Sequence, residues 1–334
     1  MKEDILSLVE ASYDVERAES DWIAGLLTAA EPLLDGGMGL GGYLYDSSTM
    51  PMKTWGLASR AGLPIEALEM GCATFTDDYR RANWLVRRFG TLMQFPELIP
   101  HVEGVDIFAA MGIRDVVAVN ALDHTGLGFW IAAPQPSVWE LTPEKEERWS
   151  KVVAHIAAAV RLRARLDRTT EEPTRQAEAV LSPSGKIEDA RGDAETRIAR
   201  ERLREAAIAI DRARGPLRHR DADAALQGWP ALVRGRWTLV DHFESDGKRY
   251  VLAHTNAGAP ATPAALSARE REVLERAVLG RENKLIGYEL GLADSTVRVL
   301  MSRAATKLGV KTRAEAVEAY KRLRSAEPVD DATS

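Results

Sequence analysis

Apolar residues recur at near 3.6-residue spacing through residues 4–34, at Ile5, Leu8, Val9, Val15, Trp22, Ile23, Leu26, Leu27, Ala30 and Leu33, with the small residue Ser12 on the same face. Acids fill the gaps, so the spacing predicts one amphipathic helix. Residues 36–42 are glycine-rich and break the pattern. Two β-rich runs follow, at 43–45 and 52–57. Helical spacing returns over 65–72 and 76–89, the second segment opening on Asp77-Asp78, which suits the positive end of a helix dipole. Residues 116–122 and 128–132 are β-rich and separated by 123–126, which reads as a hairpin. A start at Thr142-Pro143-Glu144, with proline at the first helical position, opens a long helix to about residue 168. The two bracketing helices, about 30 and 26 residues long, outrun the strands and should leave apolar ends for a partner helix.

Residues 169–176 are polar and read as a linker. A hairpin at 179–189 is followed by a charged helix over 191–214, whose apolar stripe is Ile198, Leu203, Ala206, Ala207 and Ile210. A second hairpin, 236–243 with 248–253, turns on Ser245-Asp246-Gly247. Residues 257–263, with two prolines and a glycine, predict an exposed connector. Beyond it the spacing changes again. Ser267-Ala268-Arg269-Glu270 is a capping box opening a helix with Val273, Leu274, Ala277 and Val278 on one face. A second short helix spans 283–290, with Ile286 and Leu290 inward. A third starts at Asp294-Ser295, with Val297, Met301, Ala304 and Leu308 on one face. Gly287 suits a close helix crossing and Gly291 a left-handed helix end. This is the pattern of a helix-turn-helix.

Composition narrows the class. The 334 residues include 44 basic and 50 acidic side chains, 45% apolar residues and one cysteine, Cys72. These fractions suit a globular chain of two or three domains. One cysteine excludes an intramolecular disulfide framework. The N-terminus lacks the cationic and apolar regions of a secretion signal, and the longest uncharged run is too short for a membrane helix. A cytoplasmic protein that engages no membrane is the expectation. The net charge of −6 is unevenly spread. Residues 266–323 carry 12 Lys/Arg against 8 Asp/Glu, whereas residues 1–265 carry −8. A mildly basic unit on an acidic body fits a modular regulator, because phosphate affinity follows the local field.

The stretch Leu266-Ser-Ala-Arg-Glu-Arg-Glu-Val-Leu274, with Asn283-Lys284, Ser295-Thr-Val-Arg298, Lys307-Leu-Gly-Val310 and Arg313-Ala-Glu-Ala-Val317, strongly resembles the LuxR-type (GerE-type) DNA-binding domain of bacterial transcription regulators. The resemblance implies four helices, the fourth over 313–322 and often used for dimerisation on DNA. It also implies that Lys284, Lys307 and Lys311 meet phosphates, while Arg298, Val299 and Ser302 face base edges. Ser295, Thr296 and Arg303 share that polar face. A guanidinium can bridge guanine O6 and N7, and Val299 can touch a thymine methyl. Three positions depart from the family pattern: Glu282 where Ser or Thr commonly caps, Leu285 where Glu is usual, and Leu300 where His is frequent.

Upstream, helix, strands, helices, strands and long helix resembles a GAF-like α+β sensor domain over 1–168. Hairpin, helix, hairpin over 178–256 looks like a small α+β PAS-like module. The expected architecture is thus multidomain: the two α+β modules, a linker at 257–265, an all-α four-helix head at 266–324 and an acidic tail at 325–334. Trp55, Phe75, Phe108, Met111 and Trp130 could line a cup for a small-molecule input; a protein input is the alternative.

Other motifs carry less. Gly37-x-Gly39-x-x-Gly42 matches a dinucleotide fingerprint by letters, but follows a helix and opens a strand, the reverse of a functional one. His101, His124, His155, His219, His242 and His254 are scattered without metal-ligand spacing. No nucleophile elbow, Walker loop or His pair is present, so no enzyme, no metal and no cofactor is expected. The sequence therefore predicts a dimeric regulator whose sensor modules control binding of the head to double-stranded promoter DNA, and which could also engage RNA polymerase. A scaffold that binds only proteins is the competing reading.

Overall fold

The computed structural model describes residues 4–48, 51–74, 88–94, 105–123, 125–167, 173–229, 232–233, 237–243, 248–256, 266–308, 310 and 312–326. The chain divides into two compact units, residues 1–256 and 257–334.

The first unit begins with α1 (Ile5–Ser12) and α2 (Glu19–Leu34) instead of one helix. The break has a local and a distant cause. Ser12 folds its hydroxyl back onto the carbonyl of Val9 at 2.7 Å, and the Trp22 indole N–H caps the carbonyl of Ser12 at 2.9 Å. The turn between them is held by Arg163, whose Nη1 donates to the carbonyls of Val15 and Arg17 at 3.0 and 2.7 Å. Glu19 and Asp21 then occupy the first turn of α2, where carboxylates complement the helix dipole.

Strands β1 (Leu40–Asp46), β2 (Lys53–Arg60), β3 (Phe89–Thr91), β4 (Asp115–Leu122) and β5 (Leu127–Gln135) form an antiparallel sheet in the order β2-β1-β5-β4-β3. Between them lie α3 (Ile65–Thr74) and α4 (Val105–Ala110). Phe89, expected at a helix end, instead opens β3 opposite Val119. Asp77-Asp78 lies outside the described residues. Helix α5 (Pro143–Leu166) starts as expected, with Thr142 Oγ1 accepting from the amide of Lys145 at 3.4 Å.

A second antiparallel sheet contains β6 (Ala179–Leu181), β7 (Ile187–Ala190), β8 (Leu232–Val233), β9 (Trp237–Phe243) and β10 (Arg249–Thr255), in the order β7-β6-β10-β9-β8. It is accompanied by α6 (Arg197–Arg212) and α7 (Ala222–Gln227). Both predicted hairpins are present. Ile198, placed on the inward stripe of α6, is exposed, while Ala199 takes the buried position.

The two sheets share one run of buried apolar residues. Ion pairs stitch their elements together: Arg148 grips Asp223 through two 2.6 Å bonds, and Arg218 reaches Asp4 at 2.6 Å and Glu10 at 2.8 Å. Leu8, Val15, Trp22, Leu26, Trp149, Val153, Ile156 and Val160 are all buried in this core. The apolar helix ends expected to await a partner are therefore used inside the chain.

The second unit contains α8 (Ala268–Val278), α9 (Asn283–Leu290), α10 (Asp294–Lys307) and α11 (Arg313–Ala326) around its own core.

Candidate nucleic-acid interface

The head is positioned by local chemistry that the sequence spells out. Ser267 and Glu270 form the capping box: the Ser267 amide donates to Glu270 Oε2 at 2.7 Å, and the Glu270 amide to Ser267 Oγ at 3.3 Å. At the other end of the motif, Gly291 adopts φ +61°, the left-handed conformation that ends a helix. The Leu292 amide reaches back to the carbonyl of Gly287 at 2.8 Å and the Gly291 amide to that of Tyr288 at 3.3 Å. These are the paired bonds of a Schellman turn. Gly287 sits against this turn so closely that a Cβ there would lie 2.6 Å from the Leu292 carbonyl oxygen.

The turn aims α10. Its inward positions Val297, Met301, Ala304 and Ala305 are buried, with Leu300 and Leu308 packed at the margin. Ser295, Thr296, Arg298, Val299, Ser302 and Arg303 are exposed. The sequence-predicted base-reading set therefore occupies the solvent-facing side of one helix. Arg298, 70% exposed, pairs with Asp294 one turn earlier at 2.5 Å. A pair so exposed contributes little, about 0.3–0.5 kcal/mol, and leaves the guanidinium available to a base. Lys284 is exposed on the first turn of α9. Lys307 ends α10, its side chain outside the description, and Lys311 lies outside the described residues. Glu282 occupies the N-cap position of α9 and makes no side-chain cap bond, as expected of a long carboxylate in place of a hydroxyl.

Three features escaped sequence reasoning. Glu289, 4% exposed, is buried beside two arginines: its Oε2 pairs with Arg276 Nε at 3.2 Å and with Arg281 Nη1. Arg313 extends the cluster by donating to the carbonyl of Arg281. The available signal was the spacing, since Glu289 stands three residues beyond inward-facing Ile286. Thr312 and Glu315 form a second reciprocal cap, at 2.9 and 3.2 Å, that starts α11.

Within the first unit, a largely apolar cavity of about 110 Å³ lies between α3 and the first sheet. Phe108, Met111 and Trp130 line it, together with Tyr43, Cys72 and Asn120. Trp55 does not; its indole N–H donates to Glu19 of α2 at 3.2 Å. Phe75 lies outside the described residues. The glycine loop offers no phosphate cradle, because Asp35 Oδ1 already accepts from the amides of Gly37, Met38 and Gly39 at 2.8, 3.1 and 2.8 Å.

His155 is buried against Tyr13, Nδ1 to hydroxyl 2.8 Å, and burial lowers its pKa to about 3. Burial, assisted by Arg165, lowers that of His254 to about 4. His242 contacts Glu16 at 2.8 Å. His101 and His124 lie outside the described residues. Among the described residues, no group of three or more His, Cys, Asp or Glu side chains is arranged to hold a metal, and no helix is long and apolar enough to cross a membrane.

Residues 264–319 match the family described as bacterial regulatory proteins, luxR family. The chain is similar to the transcriptional regulatory protein FixJ of Azorhizobium caulinodans, 43% identical over 70 residues, which cover 21% of this chain and 33% of FixJ. It is 48% identical over 66 residues to the probable transcriptional regulatory protein NarL of Mycobacterium tuberculosis, covering 20% of this chain and 30% of NarL. It is also 48% identical over 52 residues to the spore germination protein GerE of Bacillus subtilis, covering 16% of this chain and 70% of GerE. The chain thus spans about a third of the length of the first two relatives.

Proposed function

The chain belongs to the luxR family of bacterial regulatory proteins, and from that premise we propose that it is a cytoplasmic, DNA-binding transcription regulator and not an enzyme. The observation that carries the reading is the exposed face of α10, where Arg298, Val299, Ser302 and Arg303 stand clear of a helix whose opposite side is buried. In this reading α10 enters the major groove of promoter DNA. Arg298, Val299 and Ser302 meet base edges, Ser295, Thr296 and Arg303 flank them, and Lys284, Lys307 and Lys311 neutralise phosphates.

The regulator acts as a homodimer on two half-sites, and RNA polymerase is a further partner. A GAF-like module over 1–168 and a PAS-like module over 178–256 sense the input, with Phe108, Met111 and Trp130 facing a small molecule in the first-sheet cavity. The input binds one arrangement of the dimer better, and so shifts how often both heads reach adjacent half-sites.

A salt-dependent mobility shift of the full chain on genomic fragments tests the proposal. Three phosphate-neutralising lysines in each head give a log–log salt slope of about −5 for a pair and about −3 for a single head. A chain that retards no fragment at any salt concentration would support the scaffold reading instead.

A further inference from the structure

A second cleft, of about 470 Å³, opens between the α1–α2 turn, the C-terminal end of α6, β9 and β10. It shares no lining residue with the first-sheet cavity. Tyr13, Val15, Ile210, Leu239, Val251 and Phe243 supply apolar wall, although Phe243 is 62% exposed. Two hydrogen-bond donors of the lining find no acceptor among the described residues. One is the indole Nε1 of Trp229, a residue 3% exposed; the other is Nη1 of Arg214. They are neighbours, the guanidinium lying over the indole ring at 4.8 Å.

Arg214 is held in place by its other nitrogens. Nε donates to Glu10 Oε1 at 2.9 Å, and Nη2 pairs with Asp241 Oδ2 at 2.5 Å. Nη1 is the donor left over. Buried donors without acceptors are unfavourable, so a ligand group that accepts from both fits this corner. Charge selects the kind of acceptor. The carboxylates of Glu10, Asp14, Glu16 and Asp241 outnumber the guanidinium groups of Arg17, Arg214 and Arg249, which disfavours an anion. Each carboxylate already has a partner, Asp14 with Arg17 at 2.5 Å and Glu16 with His242 at 2.8 Å, so a cation gains little.

We propose that this cleft binds a small neutral molecule carrying a carbonyl oxygen on an apolar, ring-sized body. The oxygen accepts from Trp229 Nε1 and Arg214 Nη1, and the body lies on the apolar wall. Such a ligand joins the α1–α2 turn to the second sheet, an input separate from the first-sheet cavity.

The test uses the full chain with 15N-labelled tryptophan indoles, benzamide as the neutral probe, and benzoate and benzylamine as charged counterparts. The Trp229 signal is assigned as the one lost in Trp229→Phe, or, should that variant not fold, as the one moved most by Arg214→Lys. Benzamide should shift the Trp229 indole proton downfield saturably and leave that of Trp130 in place. Arg214→Lys keeps the charge between Glu10 and Asp241 but, with a shorter and compact ammonium in place of the planar fork, sets no donor at the Nη1 position, and should weaken binding about tenfold or more. Neither charged probe should give a saturable shift. The proposal is overturned if benzamide leaves Trp229 unmoved or moves Trp130 instead. It is equally overturned if benzoate binds as tightly, or if Arg214→Lys binds benzamide as well as the native chain.

Discussion

Replacing Gly287 with alanine puts the geometry of the head to a quantitative test. The new Cβ would stand 2.6 Å from the Leu292 carbonyl oxygen, about 0.8 Å short of ordinary contact, and 3.6 Å from Val297 Cγ2. The obstacle is backbone and cannot swing aside. α9 and the turn must separate, and the 2.8 Å bond from the Leu292 amide to the Gly287 carbonyl is lost with them. Overpacking costs about 1–3 kcal/mol and a lost backbone bond about 1. The better helix propensity of alanine returns about 0.5–1. The balance is a loss of about 2 kcal/mol, with α10 displaced from its docking angle. Gly25 in α2 provides the opposite control, since nothing lies within 4 Å of its Cβ position, and Gly25→Ala should stabilise by about 0.5–1 kcal/mol. All eight tryptophans precede residue 238, so tryptophan fluorescence reports the first unit alone, while circular dichroism at 222 nm also reports the helical head. In urea, Gly287→Ala should lower the midpoint of the dichroism component from the head by about 1–2 M and leave the fluorescence midpoint unchanged. Gly25→Ala should raise the fluorescence midpoint. A neutral or stabilising Gly287→Ala would refute the close crossing.

Glu289→Gln should cost the head about 3–5 kcal/mol, because it removes the buried carboxylate charge that Arg276 and Arg281 share. For some 60 residues that rivals the whole folding free energy, so the dichroism of the head should be largely lost at 25 °C. The first unit should weaken in acid. His155 and His254 are held neutral in the fold, at pKa values of about 3 and 4 against an ordinary 6.5, so the unfolded chain binds more protons between those limits. The stabilisation is complete above pH 6.5. It falls by about 1.4 kcal/mol per pH unit for each histidine as the pH drops towards 4, and fluorescence-detected urea midpoints should follow. His155→Leu should roughly halve that slope.

How legible each part was depends on the range of the contacts that set it. The head was readable because its determinants are local: Ser267 with Glu270, Gly291 after Leu290, and the spacing of Val297, Met301 and Ala304. The break between α1 and α2 was not, because Arg163 of α5 holds it from some 150 residues away. Phe89 was misjudged for the same reason, its strand existing only through pairing with β4. The stripes on α1, α2 and α5 looked free because periodicity reports an apolar face without saying what covers it. Of the aromatic residues proposed for the cavity, Trp130 and Phe108 reach it while Trp55 lies beside α2, a distinction set by sheet order. Glu289 was passed over because a carboxylate on an apolar face makes sense only once both arginines are in place.

Equilibrium binding of the Arg298→Ala chain to two duplexes tests the central claim most directly. One duplex is selected by the native protein from a random library, and the other is a scrambled sequence of equal length. Arg298 is assigned a base and no phosphate, so affinity for the selected site should fall by about 1–3 kcal/mol, roughly 5- to 150-fold, with discrimination relaxed at one base pair. Affinity for the scrambled duplex and the salt slope should stay as they were. Equal losses on both duplexes, or no loss on the selected one, would contradict the assignment of the exposed face of α10 as the surface that reads DNA sequence.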